Sequence, residues 1–220
     1  MFKFRKKNVV SVIQFTGIIA PNMGRKKGLN IQDFDKSIDQ AFQNKNVKAV
    51  ALQINSPGGS PVQSDFLAKR IIKLSREKNI PVISFVEDVA ASGGYYVSTG
   101  ADAIFALPST VTGSIGVYGG KFSASTLFDH LGIRTELYTR GRRAGMWTTS
   151  RPWDEVEYAG IESLIDDIYS QFVSHVANGR DMSEENVEQV ARGRVWSGQD
   201  AHQVGLVDQL GGFHAAVAHA

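Results

Sequence analysis

Apolar residues along this chain fall into short runs of β-branched and aromatic residues that alternate with longer stretches of helical period. "NVVSVIQF" at 8–15, "VKAVALQIN" at 47–55, "IPVISFV" at 80–86 and "DAIFAL" at 102–107 read as strands. The middle two are almost continuously apolar, the pattern of strands buried on both faces of a parallel sheet. From Asn30, a candidate N-cap, Ile31, Phe34, Ile38, Ala41 and Phe42 recur on one helical face. Further helices are predicted from about Val62 to Lys78, from near Ser92, around "STLFDHLG", and from about Asp154 to Val176. A strand "IRTELYT" is predicted between the last two. Alternating strands and helices argue an α/β fold, a largely parallel sheet flanked by helices, with a helical C-terminal part.

Composition narrows the partners. With 24 Lys and Arg against 22 Asp and Glu the net charge is only +2, and no basic stripe interleaves with aromatics, so nucleic acid is not an expected partner. There is no cysteine, which removes disulfides, thiolate nucleophiles and cysteine metal sites. His and acidic residues do not cluster at ligand spacings, so neither a metal nor another cofactor is expected. No apolar run reaches the ~18 residues that would span a bilayer. The opening "MFKFRKK", residues 1–7, reads as a basic tail without a signal-peptide core, suited to solvent or to weak contact with an anionic membrane surface. The expected location is cytoplasmic or membrane-associated. Residues 8–220 read as one domain, without a Pro/Ser-rich linker or an internal repeat.

Two glycine-rich turns follow consecutive strands: "NSPGGSP" after the second and "AASGGY" after the third. Ligands of parallel sheets bind at such carboxyl ends. Pro57, Gly58 and Gly59 suit a turn that aims a backbone N–H into a cleft, as an oxyanion hole requires, although Pro-Gly-Gly is also an ordinary β-to-α turn. Ser92 stands at the start of a helix, where the local field favours an anion and a nucleophile could sit, or where a serine simply caps the helix. Its small neighbours Gly93 and Gly94, with Gly58 and Ser60 opposite, would let a substrate backbone approach.

"NSPGGSPVQS", "VEDVAASGGYYVS", "STVTGSIGV" and "GRVWSGQDAHQVGLVDQLGG", in that order, resemble the signal peptide peptidase A family, also called protease IV. The likeness runs from Val9 to about Ala216. It implies a ClpP/crotonase-like fold and a serine peptidase that uses a Ser-Lys dyad on remnant signal peptides or other unfolded apolar peptides. It also implies assembly into a ring or dome of identical chains. By resemblance Ser92 matches the nucleophile and the Gly59 N–H the oxyanion donor.

The dyad lysine is missing. The resemblance places it in a Gly-x-x-Lys segment, which here reads "TRGRRAGMWTTSRP": Gly141 matches the glycine and Ala144 stands where the lysine belongs. Arg142 and Arg143 stay charged and cannot act as bases. Lys121 reads as a solvated lysine, and His130, His175, His202, His214 and His219 as surface or core histidines remote in sequence from both turns. Asp88, four residues before Ser92, could cap or orient. The base therefore comes from a partner domain or chain, or Ala144 marks an inactivated variant. Two rival classes stand beside the peptidase: a non-catalytic peptide-binding scaffold, and an acyl-CoA enzyme of the crotonase type, which would call for a Glu or Asp at the turns.

Overall fold

A computed structural model describes residues 8–24 and 27–219; the basic tail at 1–7 lies outside the described residues. The chain divides into two compact units, Met1–Gly116 with Phe172–Ala220, and Val117–Gln171.

In the first unit five parallel strands form a sheet in the order β1 (Val9–Thr16), β2 (Val47–Ser56), β3 (Val82–Ala91), β4 (Ala103–Ala106) and β7 (Gln209–Leu210). Val50, Leu52, Ile54, Val82, Val86 and Ile104 are buried, as their continuous apolar runs predict. Each large aliphatic side chain removed from water contributes about 1.5–3 kcal/mol, before conformational entropy is set against it. Helix α1 (Ile31–Ala41) starts as expected, with Asn30 accepting the Asp33 N–H, and buries Ile38 and Ala41. Helix α2 (Pro61–Lys78) is capped by Ser60, has proline in its first turn, and ends on Asn79 in the left-handed conformation. The terminal helix α8 (Phe213–His219) covers the other face, packing Ala216 and Phe213 on Ile83, Phe85, Ala103 and Phe105.

Strand β3 runs five residues beyond its predicted end because it changes partners. Ile83–Val86 pair with β4, while Val89–Ala91 pair with β5 (Val111–Gly113). Against β2 the register jumps between Ile54↔Val86 and Ser56↔Ala90, a bulge that carries Glu87 and Asp88. Strand β5 pairs on its far side with β6 (Val195–Ser197), antiparallel, so the C-terminal part holds short strands as well as helices α6 (Glu184–Val190) and α7 (Gly198–Gln203).

The second unit holds α4 (Ser125–His130) and the start of α5 (Glu155–Arg180), whose last residues belong to the first unit. The predicted strand "IRTELYT" is not one: residues 133–139 pair with no ladder and are exposed throughout. Their alternation offers a face, but no neighbouring strand takes up their backbone groups. At the start of α5, Asp154 accepts the Glu157 N–H (2.9 Å) and Glu157 accepts the Asp154 N–H (3.2 Å), a reciprocal capping box. Arg151 adds a two-pronged bond to the buried Glu157 at 2.7 Å to each oxygen and holds its carboxyl below the usual range.

Candidate active site

Strand β3 ends at Ala91 and helix α3 (Gly93–Ser98) begins two residues later, so the whole change of direction falls on Ser92. Its backbone sits at φ 50°, ψ −121°, a region that costs a side-chain-bearing residue about 1–3 kcal/mol. The surroundings hold it there: the Ser92 N–H donates to the Gly113 carbonyl at the end of β5, and the Ser92 carbonyl accepts the Tyr96 N–H, both at 2.9 Å. The capping role is not taken up, since the side chain makes no cap bond. Half-buried Ser92 keeps its hydroxyl free of any partner among the described residues.

The Pro-Gly-Gly turn lies flat against this elbow. Gly58 (φ 94°) leaves no room for a side chain: a Cβ there would stand 2.5 Å from the Gly93 nitrogen and 2.9 Å from the Ser92 Cβ. Gly59 has φ 146°, and Ile19 braces it from one side, donating to the Gly58 carbonyl (2.9 Å) and accepting the Ser60 N–H (2.7 Å). In such a parallel bridge the N–H of Gly59 itself points away from Ile19. It has no acceptor among the described residues, and its nitrogen lies 3.3 Å from where a Gly93 Cβ would be. The two turns that the sequence placed on consecutive strands thus meet, and they bring together a free hydroxyl and a free N–H.

The other small residues serve close packing. A Cβ on Gly93 would meet Ser64 Oγ at 2.3 Å, and one on Gly94 the Ser56 carbonyl at 2.5 Å. Ser60 spends its hydroxyl on capping α2, accepting the Gln63 N–H at 3.4 Å. Asp88 accepts from the Asn55 amide across the bulge at 2.9 Å. On α3 the buried Tyr95 donates its hydroxyl to the Leu206 carbonyl (2.8 Å). Tyr96 donates its own to Asp65 (2.9 Å) and stacks on His175 at 3.8 Å and 5°. His175, remote in sequence from both turns, packs on Tyr96, one helical turn after Ser92. A contact across 79 residues leaves no local signal in the sequence.

The expected bases lie in the second unit. Ala144 is exposed on a turn closed by its N–H to the Gly141 carbonyl at 3.1 Å. Its neighbours are committed elsewhere: Arg142 pairs with Asp154 at 2.9 Å, and Arg143 lies against Gly160. Lys121 is not the solvated lysine expected. Its ammonium donates to the Thr148 carbonyl at 3.0 Å and lies 5.4 Å over the Trp153 ring. Of the remaining histidines, His130, His202, His214 and His219 are exposed. Among the described residues no group of His, Cys, Asp and Glu is placed to hold a metal ion, and no helix is long and apolar enough to cross a membrane.

The sequence model of peptidase family S49 matches residues 75–220. An Enterococcus faecium protein bearing the name of signal peptide peptidase SppA is 37% identical over 209 residues, 95% of this chain and 60% of its own length. The chloroplastic serine protease SPPA of Arabidopsis thaliana is 40% identical over 184 residues, 83% of this chain and 27% of its own length. Protease 4 of Salmonella typhi is 36% identical over 183 residues, 83% of this chain and 29% of its own length. The chain therefore spans less than two thirds of the length of each of these relatives. Its α/β fold, its two apposed glycine turns and these similarities agree: the chain belongs to peptidase family S49, the signal peptide peptidase A family of serine peptidases.

Proposed function

We propose that this chain is the serine-bearing part of an endopeptidase acting on extended apolar peptides such as remnant signal peptides, with Ser92 as nucleophile. One observation carries the reading: the strained, unbonded serine faces the turn that holds the unbonded Gly59 N–H. The Ser92 Oγ would attack the scissile carbonyl carbon and pass its proton to a base. The resulting oxyanion would take the Gly59 N–H, joined by that of Gly93, the first helical residue, whose N–H the helix itself cannot satisfy. Collapse expels the amine with the proton returned, and water then hydrolyses the acyl ester.

The base is supplied from outside this chain. Ala144 accepts no proton, and Lys121 is engaged within its own unit. A lysine of a partner chain or domain completes the dyad, as in the tandem members of the family. Exposed apolar side chains in the second unit, Tyr118, Phe122, Leu131, Tyr138 and Trp147, suit contact with another copy in a closed ring or dome. Light scattering that finds only monomer at high concentration would remove this part of the reading.

The experiment is a peptidase assay of the purified chain, then of Ala144→Lys. Without a positioned base the rate is expected to fall by about 10²–10⁴ below that of a complete dyad. Ala144→Lys is expected to recover activity, abolished by Ser92→Ala, if Ala144 marks an inactivated variant, and to add little if a partner supplies the base. Efficient cleavage by the unaltered chain would show that a base within it has been missed. Peptide binding without any covalent adduct at Ser92 would favour a scaffold instead.

A further inference from the structure

Helix α3 is only six residues long, yet its polar groups are tied on every side, and the ties converge on Tyr96. The Tyr96 N–H closes the turn onto the Ser92 carbonyl (2.9 Å). The Tyr96 carbonyl takes two donors, Thr99 Oγ1 and His175 Nε2, each at 2.9 Å. Its hydroxyl donates to Asp65, which Lys69 holds at 2.8 Å. A carbonyl only accepts, so neutral His175 carries its proton on Nε2. Its Nδ1 then has no partner among the described residues. The imidazole lies flat on the Tyr96 ring, with Phe172 at 5.2 Å from the same ring.

We propose that Asp65, Tyr96 and His175 form a clamp that fixes the helix behind Ser92, and that charging the stacked His175 ring loosens it. Tyr96 and His175 are thus positioning residues for the nucleophile, an inference that rests on Ser92 having that role. Strain at φ 50° persists only where the surroundings over-determine it, and this clamp is the part of the surroundings that can titrate. A proton on Nδ1 would leave the Nε2–H donor in place but put a charge on a ring stacked flat on Tyr96 and largely withdrawn from water. The charged or titratable groups that face His175 are Asp65 and Lys69 from α2 and Tyr96 from α3.

Burial lowers the His175 pKa below its ordinary 6.5, outweighing the Tyr96 carbonyl and Asp65, which act the other way. Burial and the bond to Asp65 push the Tyr96 hydroxyl up, so it remains a donor. The sign follows. A released, hydrated His175 takes up a proton near pH 6.5, whereas the clamped one resists to lower pH. The clamp is complete above about pH 6.5 and loosens as pH falls below it.

The test follows Ser92 phosphonylation by a fluorophosphonate between pH 5 and 8, with hydrogen exchange of the peptide holding α3 measured in parallel. His175→Gln keeps an N–H donor but cannot titrate. It is expected to hold the labelling rate at pH 8 within about threefold of wild type and to flatten the acid fall. His175→Leu removes the donor and is expected to label at least tenfold more slowly at every pH while still folding. An acid fall of the same size in His175→Gln, or an unchanged rate in His175→Leu, overturns the clamp. If wild-type Ser92 resists the probe at every pH, the missing base accounts for it, and the nucleophile reading stands or falls on the peptidase assay. Exchange then decides alone: acid loosening of α3 that is lost in His175→Gln supports the clamp, and loosening that persists in it overturns the clamp.

Discussion

Replacing Ser92 by glycine and by alanine separates strain from chemistry. Both variants remove the hydroxyl, but only alanine keeps the Cβ that makes φ 50°, ψ −121° costly. In ordinary helical or extended backbone, glycine is the less stable of the two by up to about 1 kcal/mol. At Ser92 the order should reverse. Relief of strain contributes about 1–3 kcal/mol, and the greater freedom of glycine in the unfolded chain takes back about 0.4–1 kcal/mol. Ser92→Gly should therefore exceed Ser92→Ala in stability by about 1–2 kcal/mol. For a chain of this size that is about 2–8 °C in melting temperature. Thermal unfolding followed by far-UV circular dichroism, with urea melts as a check, reads the difference. Neither variant should hydrolyse peptide when a base is supplied. Equal melting temperatures, or a more stable alanine variant, would show that the elbow stores no strain.

Gly94→Ala drives a Cβ to 2.5 Å from the Ser56 carbonyl and should cost about 1–3 kcal/mol, read by the same melts. Ser84 carries a buried hydroxyl without a partner among the described residues in the middle of β3, so Ser84→Ala should raise stability by about 1–2 kcal/mol; a lower melting temperature would refute this. Burial raises the Asp208 pKa, but two bonds from Arg180 (2.6 and 2.8 Å) and the Ile104 N–H (2.7 Å) outweigh it and leave the carboxyl below its ordinary 3.8. That stabilisation is present above about pH 4 and is lost as pH falls through the folded-state pKa. Asp208→Asn should cost about 1–3 kcal/mol at neutral pH and flatten the acid limb of the stability profile.

The strands of the sheet were legible because burial on both faces writes itself into the chain as continuous apolar runs. The two glycine turns were legible because close approach excludes side chains. What the sequence hid depends on partners. Glu87 and Asp88 look like the end of a strand, yet β3 continues through them because β5 takes over where β4 stops. Residues 133–139 alternate like a strand but have no neighbour to pair with. The freedom of the Gly59 N–H follows from Ile19, 40 residues earlier, bonding on either side of it. The place of His175 follows from α5 packing on α3, where Gly179 brings its backbone against the Thr99 carbonyl. Ala144, at the place where the resemblance leads one to expect a lysine, was legible because a motif records the identity of each residue.

The ladder from β3 through β5 to β6 also sets an order in time. The Ser92 N–H is held by Gly113, and Gly113 pairs with Val195 of β6. On the ribosome Ser92 is made more than 100 residues before the strand that braces it. Until Val195–Ser197 emerges, the elbow lacks its outer support and the serine has no reason to adopt its costly backbone. A nascent or truncated chain thus carries Ser92 without the backbone posture that this ladder supports.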